Sequence, residues 1–225
     1  MTTITAWRHS AVSLEKEGVR LVIDPGVYSD PQALRNAAAV LITHDHPDHV
    51  DATAVVEGGA PVWTTDAVAA VLREAGAEPS RLHVVSPGEY FSAAGFDVLA
   101  LGGTHAVIHP DLPGEENLAF FIDGAFLHPG DSLTPAPADA GVQVLFLPIA
   151  APWLNLESAV DYARAVAPEI VVPIHGATLS AAGSRLTNGI TQQLLPGIDY
   201  RRLDDGASWT SGRSDSHGDV LRVSG

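Results

Sequence analysis

A chain of 225 residues that is 46% apolar can bury one sizeable core, so one domain over residues 1–225 is expected. Its formal charge of −15, with Lys16 as the sole lysine, repels phosphate backbones and argues against nucleic acid as a partner. It has no cysteine, which excludes disulfides, thiolate nucleophiles and cysteine-held zinc; any metal must be held by nitrogen and oxygen.

Residues 1–8 carry no basic segment leading into an apolar stretch of signal-peptide length. No apolar run approaches the roughly 20 residues that span a bilayer, so a soluble cytoplasmic protein without membrane contact is expected. Along the chain, β-type runs at 4–8, 11–15 and 19–23, closing at the turn Asp24-Pro25-Gly26, predict an antiparallel meander. Strand and helix then alternate: strand 40–43, short helix 48–57, strand 61–63, and a helix over 66–75 capped by Thr65 and stopped by Gly76. Runs at 82–85, 89–91, 96–101, 118–122 and 125–127 predict mostly antiparallel strands, with Asp123-Gly124 as a two-residue hairpin turn. A loop rich in Pro, Ala and Asp fills 129–141. Strand 142–147, amphipathic helix 156–166, strand 170–173 and a helical segment at about 180–195 follow. A polar tail at 211–219 precedes a weak last strand at 220–223. This order, meander then mixed units, twice over, predicts an α/β fold of the αββα sandwich type, with two mixed sheets face to face and helices outside.

The chemistry concentrates in Thr43-His44-Asp45-His46-Pro47-Asp48-His49. An apolar strand delivers His44, Pro47 breaks any regular continuation, and Asp48 and His49 are expected at the start of the next helix. The same pattern recurs downstream, where β-type runs end at His105, at Asp131 within His128-Pro129-Gly130-Asp131, and at His175 before Gly176. Imidazole nitrogen and carboxylate oxygen in such a set suit zinc at about 2.0–2.2 Å. Two metals about 3.5–4 Å apart need some six or seven ligands. His44, His46, Asp48, His49, His105, Asp131 and His175 supply them.

The ordered set, with Asp24 ending the run Leu21-Val22-Ile23, resembles the metallo-β-lactamase superfamily, and the segments at 5–25 and 116–131 resemble its compact members akin to ascorbate-6-phosphate lactonase. The likeness runs from about residue 20 to residue 176. It implies that His44, His46 and His105 bind one metal, that Asp48, His49 and His175 bind the second, and that Asp131 bridges both. It also implies that Asp24 hydrogen-bonds the metal loop without ligating, and that Asp48 can receive a proton from the attacking water. The implied reaction is hydrolysis of an ester, lactone or phosphodiester-type bond of a small molecule by a metal-bridging hydroxide. Zinc is the first expectation for the two divalent ions, with manganese or iron as alternatives. Arg8 and Ala119 depart from glycines usual in those relatives, a difference that bears on substrate. A non-catalytic metal-binding protein and a di-iron redox protein on the same scaffold are the rival readings.

Position alone marks a few further residues. His109, four after His105, and His128, three before Asp131, are candidates for contact with substrate, and otherwise support the site. His9 stands open in the same way, and Trp153 is the candidate pocket wall.

Overall fold

The computed structural model describes residues 1–211; the expected strand at 220–223 and all but the first residue of the expected tail lie outside them. The first sheet begins as an antiparallel meander of β1 (Thr2–Ala6), β2 (Val12–Lys16) and β3 (Val19–Ile23). It continues in parallel through β4 (Ala37–Leu41), β5 (Val62–Thr64) and β6 (Leu82–Val84). The second sheet repeats this plan: β7 (Tyr90–Ala93), β8 (Phe96–Gly102), β9 (Leu118–Ile122) and β10 (Phe126–His128) are antiparallel neighbours. β11 (Val144–Pro148), β12 (Ile170–Ile174) and β13 (Asp199–Tyr200) then add in parallel. β14 (Ser208–Ser211) returns to pair with β1, giving two seven-stranded sheets.

Period-2 alternation sorts the side chains into layers. Leu21 and Ile23 of β3 face the core between the sheets, whereas Val22 faces the outer helices. In the second sheet Val144 and Phe146 of β11 point inward and Leu145 and Leu147 outward. The inner layer holds the fully buried Phe96, Phe120 and Phe146. On the outer face of the first sheet, Val55 of helix α1 (Ala52–Gly58) and Val68 and Leu72 of α2 (Asp66–Glu74) pack on Val22, Val40 and Ile42. On the second, Ala159, Val160 and Ala163 of α3 (Leu156–Val166) cover Leu145, Leu147 and Val171, with α4 (Ala181–Leu194) beside α3. Three apolar layers between four layers of elements make the αββα sandwich that the pattern predicts. Among the described residues, no helix is long and apolar enough to cross a membrane.

Caps fall largely where the sequence puts them. Thr65 accepts the Val68 N–H at 3.2 Å at the start of α2, and both residues of the Asp123-Gly124 turn adopt positive φ, as a tight hairpin requires. Two expectations need correction, and two short strands were not foreseen. The helix predicted from Asp48 begins only at Ala52, capped by Asp51, because the N–H groups of His49 and Val50 both turn back to the carbonyl of His46. β6 is a parallel edge of the first sheet, not part of an antiparallel middle. β13 and β14 carried no run long enough to stand out, since pairing with β12 and β1 defines them.

Candidate metal centre

Ends of five different strands or turns meet at one edge of the sandwich. β4 runs out into Thr43 and His44, and the following turn carries His46, Asp48 and His49. This turn is laced to the one after β3: Val27 N–H bonds Pro47 O and Asp51 N–H bonds Pro25 O. The two backbones touch at Gly26, where a Cβ would sit 2.0 Å from the Asp48 carbonyl oxygen. β8 leads to His105, β10 through Gly130 to Asp131, and β12 to His175. Gly130 has φ +60° and a Cβ there would meet Asn117 Oδ1 at 2.4 Å and Thr43 Cβ at 2.7 Å, so only glycine lets these three loops close together. Arg8, His9, Asp24 and His175 all hold positive φ without being glycine, a concentration of backbone strain at this edge.

Two groups of potential ligand atoms result: His44, His46, His105 and Asp131 form one, and His9, Asp48, His49 and His175 the other, each within 4.8 Å. Asp131 joins them, its Oδ2 lying 3.5 Å from His105 Nε2 and 3.2 Å from His175 Nε2. The hydrogen-bond network assigns the imidazole protons. Thr43 Oγ1–H donates to Asp24 Oδ2 at 2.8 Å, so the hydroxyl oxygen accepts from His44 Nδ1–H at 2.9 Å. His49 Nδ1–H donates to Asp24 at 2.8 Å, His105 Nδ1–H to Ala106 O at 2.6 Å and His175 Nδ1–H to Ala150 O at 2.5 Å. Each of these four rings thereby presents an Nε2 to the shared space. His46 is turned the other way: its Nε2 meets Glu115 at 2.5 Å, leaving Nδ1.

Of the five buried side-chain atoms with no hydrogen-bond partner among the described residues, four are here: Nε2 of His44, His105 and His175, and Oδ1 of Asp131. Each such atom costs about 1–3 kcal/mol, so four converging on one point describe a site shaped for a cation. His49 Nε2 lies 3.1 Å from that Oδ1, near but off the line of a hydrogen bond. His9 stands in the second group by distance but not by chemistry. Its Nδ1 accepts the Ala177 N–H at 3.3 Å, so its proton sits on Nε2 and goes to Asp48 Oδ2 at 2.9 Å. Both ring nitrogens are used, and His9 orients Asp48.

The electrostatics follow from burial set against these pairings. Burial pulls the fully enclosed His49 down, but the carboxylates of Asp131 and Asp24 overrule it and hold its pKa up at about 10 in the bare side-chain cluster. Burial would raise Asp48, yet the His9 hydrogen bond and the charge of His49 bring it to about 2. Asp131 is held well below the usual carboxylate range by His49, His105 and His175 against the same burial penalty. His44 is pushed well down by burial and by the neighbouring His49. The anionic carboxylates and His44 are in the forms a divalent cation binds, whereas burial is overruled at His49 by Asp131 and Asp24 and at His105 by its bonds to Asp131 and Ala106, so these two give up a proton to ligate.

All seven sequence-predicted ligand candidates are thus brought together. The two further histidines are not. His109 is exposed, accepts the Asp111 N–H at 3.2 Å and belongs to neither group. His128 has no exposed surface; its Nε2–H donates to Ser10 O at 3.0 Å and its Nδ1 accepts from Gly130 N–H at 3.3 Å, so it braces the loops from beneath, out of substrate's reach. Sequence reasoning left open the role of His9 and missed Glu115. It also missed the clamp by Asn117, whose Oδ1 accepts the Asp131 N–H at 2.9 Å while Nδ2–H donates to Pro129 O at 2.9 Å. His9 did show the telltale placement, a histidine just past a strand; Glu115 lies in a loop whose path no local pattern sets.

A four-layer sandwich with histidines and aspartates at one sheet edge defines a metallo-β-lactamase type of protein. A family model described as Beta-lactamase superfamily domain matches residues 3–175, and the chain belongs to the metallo-β-lactamase superfamily. Protein Rv0786c of Mycobacterium tuberculosis is 38% identical over 211 residues, covering 86% of this chain and 96% of its own. A UPF0173 metal-dependent hydrolase of Geobacillus thermodenitrificans is 27% identical, covering 84% and 95%. Among solved structures, Igni18, a metallo hydrolase of Ignicoccus hospitalis, superposes with a TM-score of 0.68 at 22% identity over 94% of this chain and 99% of that one. CmlA, a diiron β-hydroxylase of Streptomyces venezuelae, gives 0.69 at 16% over 92% and 54%.

Proposed function

We propose that the chain is a metal-dependent hydrolase that uses two divalent cations to cleave an ester, lactone or phosphodiester-type bond of a small molecule. The observation that carries this reading is the convergence of partnerless buried Nε2 atoms on the single carboxylate of Asp131. His44, His46 and His105 would hold one cation, Asp48, His49 and His175 the other, with Asp131 between them. Bound divalent cations supply Lewis acidity and a water made acidic near neutral pH. The chain's own part is to place donors and move protons. Asp24 keeps the His49 proton on Nδ1, and Asp48, fixed by His9, is a carboxylate positioned to take a proton during hydrolysis.

The nitrogen-rich donor set favours zinc, and manganese or iron fit the same N/O shell. CmlA is a diiron protein of this fold, so the fold by itself does not select the metal. The Geobacillus relative, described as a metal-dependent hydrolase, supports the reaction class. A cavity of about 350 Å3 beside His9 and Gly176, bordered by Arg8, Asn188, Arg202 and Asp205, has the size of a small-molecule site.

The test is a hydrolysis screen with simple esters, lactones and bis-nitrophenyl phosphate on chelator-stripped protein before and after reloading with zinc, manganese or iron. Turnover restored by metal in wild type and reduced to background in Asp131→Ala is expected. Full turnover by the stripped chain would overturn the reading; metal bound with none of these bonds cleaved would favour the non-catalytic alternative.

A further inference from the structure

The loop from β11 to α3, residues 149–155, supports the centre from outside it. The Ala150 carbonyl accepts His175 Nδ1–H, and Asn155 caps α3 through Ser158 N–H at 2.8 Å, so both ends of the loop are pinned. Between them Leu154 N–H bonds back to Ala151 O at 3.1 Å, a tight turn that presents Trp153. The half-buried indole, expected as a pocket wall, does not line the cavity of about 350 Å3 and reaches into the centre instead. Its Nε1–H donates to Asp131 Oδ2 at 2.8 Å, and its ring meets His105 edge to face at 6.1 Å. Oδ2 therefore has a neutral donor that can serve no other acceptor, while Oδ1 of the same carboxylate is left buried and without a partner.

We propose that Trp153 is a positioning residue that fixes the rotation of the Asp131 carboxylate, holding Oδ2 at the point where it faces both His105 and His175 and leaving Oδ1 without a partner. It rests on the metal-centre reading above. A rotamer-locked donor outside the ligand shell is the kind of partner whose loss weakens metal binding by about 10–100-fold. Trp153 touches the one carboxylate common to both groups, so its loss is felt at both cations.

The test compares wild type, Trp153→Phe and a chain with benzothienylalanine at position 153, which keeps the bicyclic shape but replaces the N–H by sulfur. Each is stripped with a chelator and titrated with zinc against a competing chelator; the unfolding midpoint of the stripped chain is measured in parallel. About 10–100-fold weaker zinc binding in both replacements, with the benzothienyl chain keeping the wild-type midpoint, is expected. Wild-type affinity in the benzothienyl chain would show that Trp153 only packs, and would overturn the proposal while leaving the metal centre intact. Absence of zinc binding by wild type would overturn both.

Discussion

Asp24 shows how a residue that touches no substrate can decide what the site does. Its carboxylate, with no exposed surface, accepts three hydrogen bonds, from Thr43 N–H, Thr43 Oγ1–H and His49 Nδ1–H, each at 2.8 Å. Replacing it by asparagine puts an amide N–H where an acceptor stood, and the His49 proton is then driven to Nε2, the atom that must be bare to ligate. Zinc affinity of Asp24→Asn should fall by about 10–100-fold in chelator competition; an unchanged affinity would remove Asp24 from the design. Asp24 was legible only through the family resemblance, because an aspartate before Pro25-Gly26 is by itself an ordinary turn residue. Trp153 was legible only as an aromatic near a strand end, since the partner of its N–H lies 22 residues away across a loop. His109 looked favourable by spacing from His105, yet spacing along a loop does not fix direction, and its ring points to Asp111 instead.

Among the elements, the turn carrying His46 to His49 depends on a neighbour rather than on its own sequence. Pro47 and the bonds of His49 and Val50 to His46 O delay the helix to Ala52, which periodicity alone placed four residues too early. What holds that turn is the glycine it rests on. Gly26→Ala would place a methyl group 2.0 Å from Asp48 O and within 2.5 Å of His49 N, so the backbone bearing two ligand candidates must move. Such overpacking costs typically about 1–3 kcal/mol. The variant should unfold at lower temperature and bind one zinc equivalent much more weakly than wild type; retention of both equivalents at full affinity would contradict the close-packing role. The strands that pack the inner layer were readable because β3 and β11 alternate or run fully apolar, whereas β13 and β14 owe their state to partners remote in sequence, and β6, readable as a strand, takes its parallel pairing from β5.

At the scale of the molecule, the sandwich turns scattered residues into one site by repeating a plan: an antiparallel meander followed by parallel crossovers, twice. The parallel strands β4 and β12, one in each sheet, end at His44 and His175, while the antiparallel β8 and β10 contribute His105 and Asp131. Four strand ends from two sheets meet because the inner apolar layer, built around Phe96, Phe120 and Phe146, holds the sheets face to face. Duplication was visible in the order of elements, and so was the sandwich; the edge at which the ends converge was visible only through the histidines. The central claim is that this edge holds two cations with a shared aspartate. Its most direct test is the metal content per chain, by elemental analysis after zinc loading, of wild type, His44→Ala and His175→Ala. Two equivalents for wild type and one for each variant are expected. A single equivalent in wild type, or two in both variants, would contradict a binuclear centre built from these residues.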